Sequence, residues 1–179
     1  GQVLQDVFGY TGFRPGQKEV VARLLRGKDC VCIMPTGGGK SLCYQVPALV
    51  LPGITLVVSP LISLMKDQVM HLQKRGISSA AIFSGMSRQE IIVTLENCIF
   101  GSTKILYVSP ERLSSELFLT KLKHINVSFI TVDEAHCISQ WGYDFRPSYL
   151  RITDIRSIKP NVPILALTAT ATPKVVIDI

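Results

Sequence analysis

Short runs of consecutive apolar residues alternate along this chain with longer, helix-length stretches. The runs Asp29–Met34, Ile54–Ser59, Ala80–Ser84, Ile105–Ser109, Val127–Val132 and Ile164–Thr168 are brief and rich in β-branched residues. They read as parallel strands covered on both faces. The stretches between them predict helices over Lys40–Val50, Leu61–Lys74, Arg88–Phe100, Arg112–Leu122 and Tyr149–Ile158. Two more, Val3–Phe8 and Gly16–Arg26, precede the first strand. Such alternation predicts an α/β fold, a parallel central sheet with helices on both faces. No linker or low-complexity segment divides the 179 residues, so one domain over residues 1–179 is expected.

Most strands end in small polar groups: Pro35–Thr36, Ser59–Pro60, Ser84–Gly85, Ser109–Pro110, Asp133–Glu134 and Thr168–Ala169. Open parallel sheets bind ligands beyond the carboxyl ends of their strands, so this edge is where chemistry is expected.

Composition narrows the classes without choosing among them. Apolar residues make up 47% and charged residues 18%, an ordinary globular balance. No apolar run approaches the roughly 18 residues of a membrane span, and GQVLQDVFGY lacks a secretory profile. An intracellular, soluble protein is the expectation. A net charge of +6 suits a polyanionic partner without requiring one. The five cysteines, at 30, 32, 43, 98 and 137, form no CxxC pair, which argues for reduced thiols and against a zinc site. His71 and His124 read as surface or capping residues rather than metal ligands.

Met34-Pro35-Thr36-Gly37-Gly38-Gly39-Lys40-Ser41 follows a predicted strand and opens a predicted helix. Its glycines let backbone N–H groups turn inward around phosphate oxygens, and the helix start adds its positive dipole end. Lys40 can reach the β and γ phosphates, and the Ser41 hydroxyl can ligate Mg²⁺. Met34 stands where the general motif has its first glycine. A second half-site is Asp133-Glu134-Ala135-His136 at the end of an apolar strand. There Asp133 suits Mg²⁺ and Glu134 suits orienting and deprotonating a water. His136 reads either as a sensor of the phosphate state or as a helix-start histidine.

Taken together these segments resemble the RecQ family of superfamily 2 helicases. The resemblance runs from Phe8 to Pro173. Phe8-Gly9-Tyr10 with Phe13-Arg14-Pro15-Gly16-Gln17 is similar to the family's adenine motif. By that likeness Tyr10 and Arg14 would sandwich the base, and Gln17 would bond its edge. Val58 to Gln68, including Ser59 and Lys66, and Ser109-Pro110-Glu111-Arg112-Leu113 are similar to DNA-contacting motifs. Leu167 to Thr172, including Thr168 and Thr170, resembles the motif that passes nucleotide state to the DNA track. Cys137 to Pro147 resembles the RecQ aromatic-rich loop: Trp141 and Phe145 would stack on bases, joined by Gln140 and Arg146 and coupled through His136. Ordinary core packing of Trp141 and Phe145 is the competing explanation. Tyr143 and Ser148 depart from the family, which usually has histidine and an acidic residue there.

The resemblance implies a RecA-like P-loop NTPase domain using ATP and Mg²⁺ and acting on single-stranded and duplex DNA; the sequence does not fix the oligomeric state, and a monomer is expected. It would drive 3′-to-5′ translocation and unwinding in repair or recombination, in the bacterial cytoplasm or the eukaryotic nucleus. A second RecA-like domain with an arginine finger would follow Ile179, usually with zinc-binding and winged-helix modules, so the chain reads as an excised fragment that is nearly inactive alone. Two other functions fit the motifs less well: an RNA remodeller of the DEAD/DEAH type, and a nucleotide-gated binding module without turnover.

Overall fold

Strand residues of period two decide which helices cover which face. The computed structural model describes residues 2–34, 39–139 and 146–169. Within them six strands form one sheet: β1 (Cys30–Ile33), β2 (Ile54–Val58), β3 (Ser79–Ile82), β4 (Ile105–Val108), β5 (Val127–Val132) and β6 (Ile164–Thr168). Their order is β1-β6-β5-β2-β4-β3, and every pair is parallel. Helices α1 (Gln2–Phe8), α2 (Gln17–Leu25), α3 (Leu42–Val50), α4 (Ile62–Lys74), α5 (Arg88–Phe100), α6 (Glu116–Leu122) and α7 (Ile152–Ile158) complete the fold.

The alternation builds two cores. Val57, Tyr107, Phe129, Leu165 and Leu167 point to one face, where Leu4, Leu24, Val46 and Leu72 of α1–α4 meet them. Leu56, Val58, Val108, Ile130 and Val132 point to the other, against Leu95, Phe118 and Ile155 of α5–α7. The expected two-faced burial holds for β2, β4 and β5 but fails at β1. There Cys32 is buried while Val31 and Ile33 are 47% and 55% exposed. β1 lies at the sheet edge beyond the reach of α5–α7. The five cysteines are free thiols, and burial pushes Cys98 up to about 11.

Two predicted helices prove to be compound. The 112–122 segment divides into a 3₁₀ turn (Pro110–Ser114) and α6, because Ser115 is extended between them. Its hydroxyl accepts from the Phe118 N–H, a cap that starts a new helix. The 149–158 segment likewise begins as a 3₁₀ turn (Pro147–Arg151), with Tyr149 N–H donating to Arg146 O, before α7. By contrast α5 spans the predicted residues, opened by a Ser87–Glu90 capping box. No helix among the described residues is long and apolar enough to cross a membrane.

Candidate active site

Because all six strands run parallel, their carboxyl ends share one edge. The ends of β1, β6 and β5 are neighbours there, so the chain after Met34, Thr168 and Val132 converges. A cleft of about 640 Å³ opens at this edge, lined among others by Tyr10, Arg14, Gln17, Gly39, Lys40, Ser41, Asp133 and Glu134. That volume is in the range of small-molecule sites.

Lys40 Nζ lies 3.6 Å from Glu134 Oε1, joining residues 94 apart in sequence across the β1 and β5 ends. Glu134 sits at φ 52°, ψ 47°, the only non-glycine with positive φ among the described residues. Left-handed backbone costs a non-glycine residue roughly 1–3 kcal/mol and clusters at functional sites. It re-aims the chain directly after β5, turning the Glu134 carboxylate toward Lys40 on one oxygen and His136 Nδ1, 3.6 Å away, on the other. Beside it, Asp133 Oδ1 accepts from the Glu134 N–H at 2.9 Å. The Asp133 carboxyl is held above the usual carboxylate range, chiefly by desolvation and further by the Glu134 charge, with Lys40 opposing. Such a carboxylate carries a charge the fold does not fully compensate.

The wall facing this group is the segment before α2. Gln17 is 1% exposed, and its amide is engaged at both ends. Oε1 accepts from Arg14 N at 2.7 Å, and Nε2 donates to Gly39 O at 2.8 Å. One N–H and one lone pair remain for a ligand. Tyr10, 46% exposed, and Arg14 stand at the mouth of the same cleft.

Met34 explains its own departure from the glycine pattern. It is buried, its N–H donates to Thr168 O at 3.0 Å, and its sulfur contacts the Cys43 thiol at 4.0 Å. A Cβ on Gly16, which has φ 88°, would lie 3.0 Å from Met34 Cε. Met34 therefore anchors the end of β1 in the α1–α4 core. Pro35, Thr36, Gly37 and Gly38 lie outside the described residues.

His136 is 2% exposed and its Nδ1 lies 3.0 Å from Thr168 Oγ1. This ties the segment after β5 to the end of β6. Ser59 is buried directly after central strand β2 and lines the cleft with Asp133. Lys66 and Arg112 are set apart from the cleft, near the end of β3: Lys66 Nζ lies 4.9 Å from the Phe83 ring centre, and Arg112 donates to Phe83 O at 3.2 Å. Arg146 N–H donates to Cys137 O at 2.9 Å. Gln140, Trp141, Tyr143, Phe145 and Thr170 lie outside the described residues.

Three tyrosines to which the sequence assigns no role join the site. Tyr149 is fully buried and its hydroxyl donates to Asp133 O at 2.9 Å. Tyr44 and Tyr107 share a buried hydroxyl pair 2.6 Å apart in the cleft floor. Burial keeps both neutral, pushing Tyr107 up to about 12. All three depend on contacts between distant segments; only the place of Tyr44, one helical turn after Lys40, offered a signal.

The chain matches the model of the DEAD/DEAH box helicase family over residues 14–179. It is 52% identical over 169 residues to the "ATP-dependent DNA helicase RecQ" of Pasteurella multocida, covering 94% of this chain and 27% of that protein. It is 51% identical over 179 residues to the Bacillus subtilis protein of the same name, covering 99% of this chain and 30% of that one. The chain thus spans less than a third of the length of these two relatives. A crystal structure titled as a hypothetical ATP-dependent RNA helicase from Sulfolobus tokodaii superposes with a TM-score of 0.75 at 22% identity. That match covers 99% of this chain and 52% of the other, and it shares the helicase RecA-like fold. With the family match reaching from Arg14 to Ile179, the chain belongs to the DEAD/DEAH box helicases, as a RecQ-like ATP-binding helicase domain.

Proposed function

We propose that this domain binds Mg²⁺·ATP in the strand-end cleft and, in the natural full-length protein, powers movement along DNA. The observation that carries this reading is the meeting of Lys40, Glu134 and Asp133 at one end of a cleft whose wall is Gln17 bonded to Gly39. Tyr10 and Arg14 take the two faces of the adenine, and Gln17 bonds its edge with the capacity its amide retains. The Pro35–Gly39 segment binds the phosphates through the backbone N–H groups of Thr36 to Gly39, and Lys40 neutralises the terminal ones. Ser41 and Asp133 would hold Mg²⁺, an oxygen-only donor set of the kind that ion takes. When bound, the ion supplies charge neutralisation on the phosphate oxygens. Glu134 orients the attacking water and accepts its proton.

The His136–Thr168 contact gives phosphate chemistry a route to β6 and onward to Thr170. Lys66, Arg112 and Arg146 contact the DNA backbone; Gln140, Trp141 and Phe145 contact bases. DNA as the track is supported by the names of the two bacterial relatives, both DNA helicases. We read residues 1–179 as one domain, with a second RecA-like domain supplying an arginine finger, translocation running 3′ to 5′, and the protein working as a monomer inside the cell.

The test separates binding from turnover. Glu134→Gln should keep Mg²⁺·ATP affinity while lowering hydrolysis about 10²–10⁴-fold, because the amide cannot take the proton. Lys40→Ala should weaken nucleotide binding itself. Equilibrium nucleotide binding beside phosphate release measures both, and wild-type affinity in Lys40→Ala would contradict the division of roles.

A further inference from the structure

Two cations of the nucleic-acid surface share one uncharged residue. Lys66 belongs to α4, which follows β2, and Arg112 to the 3₁₀ turn after β4. Phe83 follows β3, and β2, β4 and β3 are consecutive in the sheet. The Lys66 ammonium stands 4.9 Å from the Phe83 ring centre, within cation–π range. The Arg112 guanidinium donates Nη2–H to the Phe83 carbonyl at 3.2 Å.

Phe83 is built to stay where it is. Its carbonyl also accepts from Met86 N–H at 3.4 Å, and its own N–H donates to the Met86 sulfur at 3.4 Å. Gly85, with φ 100°, supplies the left-handed residue such a turn requires. The half-buried ring stands outside both hydrophobic cores, so core packing does not account for it. Beside it the buried Arg112 Nε and Ser109 Oγ have no hydrogen-bond partner among the described residues.

We propose that Phe83 is a positioning residue of the DNA track. Its ring holds the Lys66 ammonium in place for a phosphate, while its backbone carbonyl holds Arg112. The physical gain is preorganisation. A free lysine has four rotatable side-chain bonds to order on binding, and an ammonium resting on a ring has part of that cost met beforehand. The inference rests on the DNA-binding reading above, with Lys66 as a phosphate contact.

The division between ring and carbonyl makes it testable. Phe83→Leu removes the ring but leaves the carbonyl for Arg112; Phe83→Met does the same with a different shape, should leucine disturb the fold. Affinity of the natural full-length protein for a single-stranded oligonucleotide is measured by fluorescence anisotropy across a salt series. Variants are Phe83→Leu, Phe83→Met, Phe83→Tyr, Lys66→Ala and the Phe83→Leu/Lys66→Ala pair, with thermal melts as the folding control. Phe83→Leu and Phe83→Met should weaken binding roughly two- to fivefold, the worth of an exposed cation–π contact. Phe83→Tyr should bind like wild type. Lys66→Ala should weaken binding and lower the salt slope by about 0.7. In the Lys66→Ala background Phe83→Leu should add nothing. Multiplying losses in the double variant, or wild-type affinity in both ringless variants while Lys66→Ala binds weakly, overturns the positioning role. Wild-type affinity and slope in Lys66→Ala would instead overturn the phosphate contact on which it rests.

Discussion

Replacing Gly39 with alanine tests how tightly the adenine wall and the phosphate loop are joined. Gly39 has φ 79°, and a Cβ there would overlap Gln17 Nε2, the atom that donates to Gly39 O. Two costs follow. The left-handed backbone penalises a side chain by about 1–2 kcal/mol. Pushing the buried Gln17 amide off its acceptor forfeits a hydrogen bond and strands a donor, about 1–2 kcal/mol more. The sum, about 2–4 kcal/mol, corresponds to a melting-temperature drop of roughly 4–16 °C for a domain of this size. Thermal melts of the 179-residue chain measure it. Gln17→Ala supplies the internal control: with the amide gone, Gly39→Ala should cost only the backbone part, about 1–2 kcal/mol. Equal costs in the two backgrounds, or a Gly39→Ala melt within about 1 °C of wild type, would refute the coupling.

Tyr149→Phe deletes the hydroxyl that donates to Asp133 O and should lower stability by about 1 kcal/mol, roughly 2–4 °C, with an unchanged melt contradicting it. The raised Asp133 carboxyl implies the opposite sign for Asp133→Asn. A carboxyl whose folded pKa exceeds its unfolded value stabilises the fold while protonated, and that contribution is lost as pH rises through the folded pKa. At neutral pH without Mg²⁺, Asp133→Asn should therefore melt higher than wild type while losing Mg²⁺-dependent nucleotide binding; a lower melt would show the carboxylate to be well compensated.

How much of this was legible follows from the range of the interactions. The apolar runs of β5 and β6 and the Ser87 cap of α5 are local signals, and they mark element bounds closely. The phosphate loop and the Asp133–Glu134 pair are local too. Ser115 is also a local cap, but the apolar helical pattern that surrounds it hides the break. The exposure of Val31 and Ile33 depends on strand order, which no run of residues encodes. The Tyr149 bond to Asp133 and the Lys66–Phe83 contact join segments brought together only by parallel pairing. The burial of Ser59 likewise follows from its place directly after a central strand, which the motif around it does not encode.

The proposed function requires this cleft to hydrolyse ATP in response to DNA. The most direct measurement is steady-state phosphate release by the natural full-length protein with no nucleic acid, with single-stranded DNA, and with RNA of the same sequence. DNA should stimulate strongly and RNA much more weakly, and Glu134→Gln should lower the DNA-stimulated rate about 10²–10⁴-fold. Equal stimulation by RNA, or hydrolysis indifferent to either strand, would contradict it.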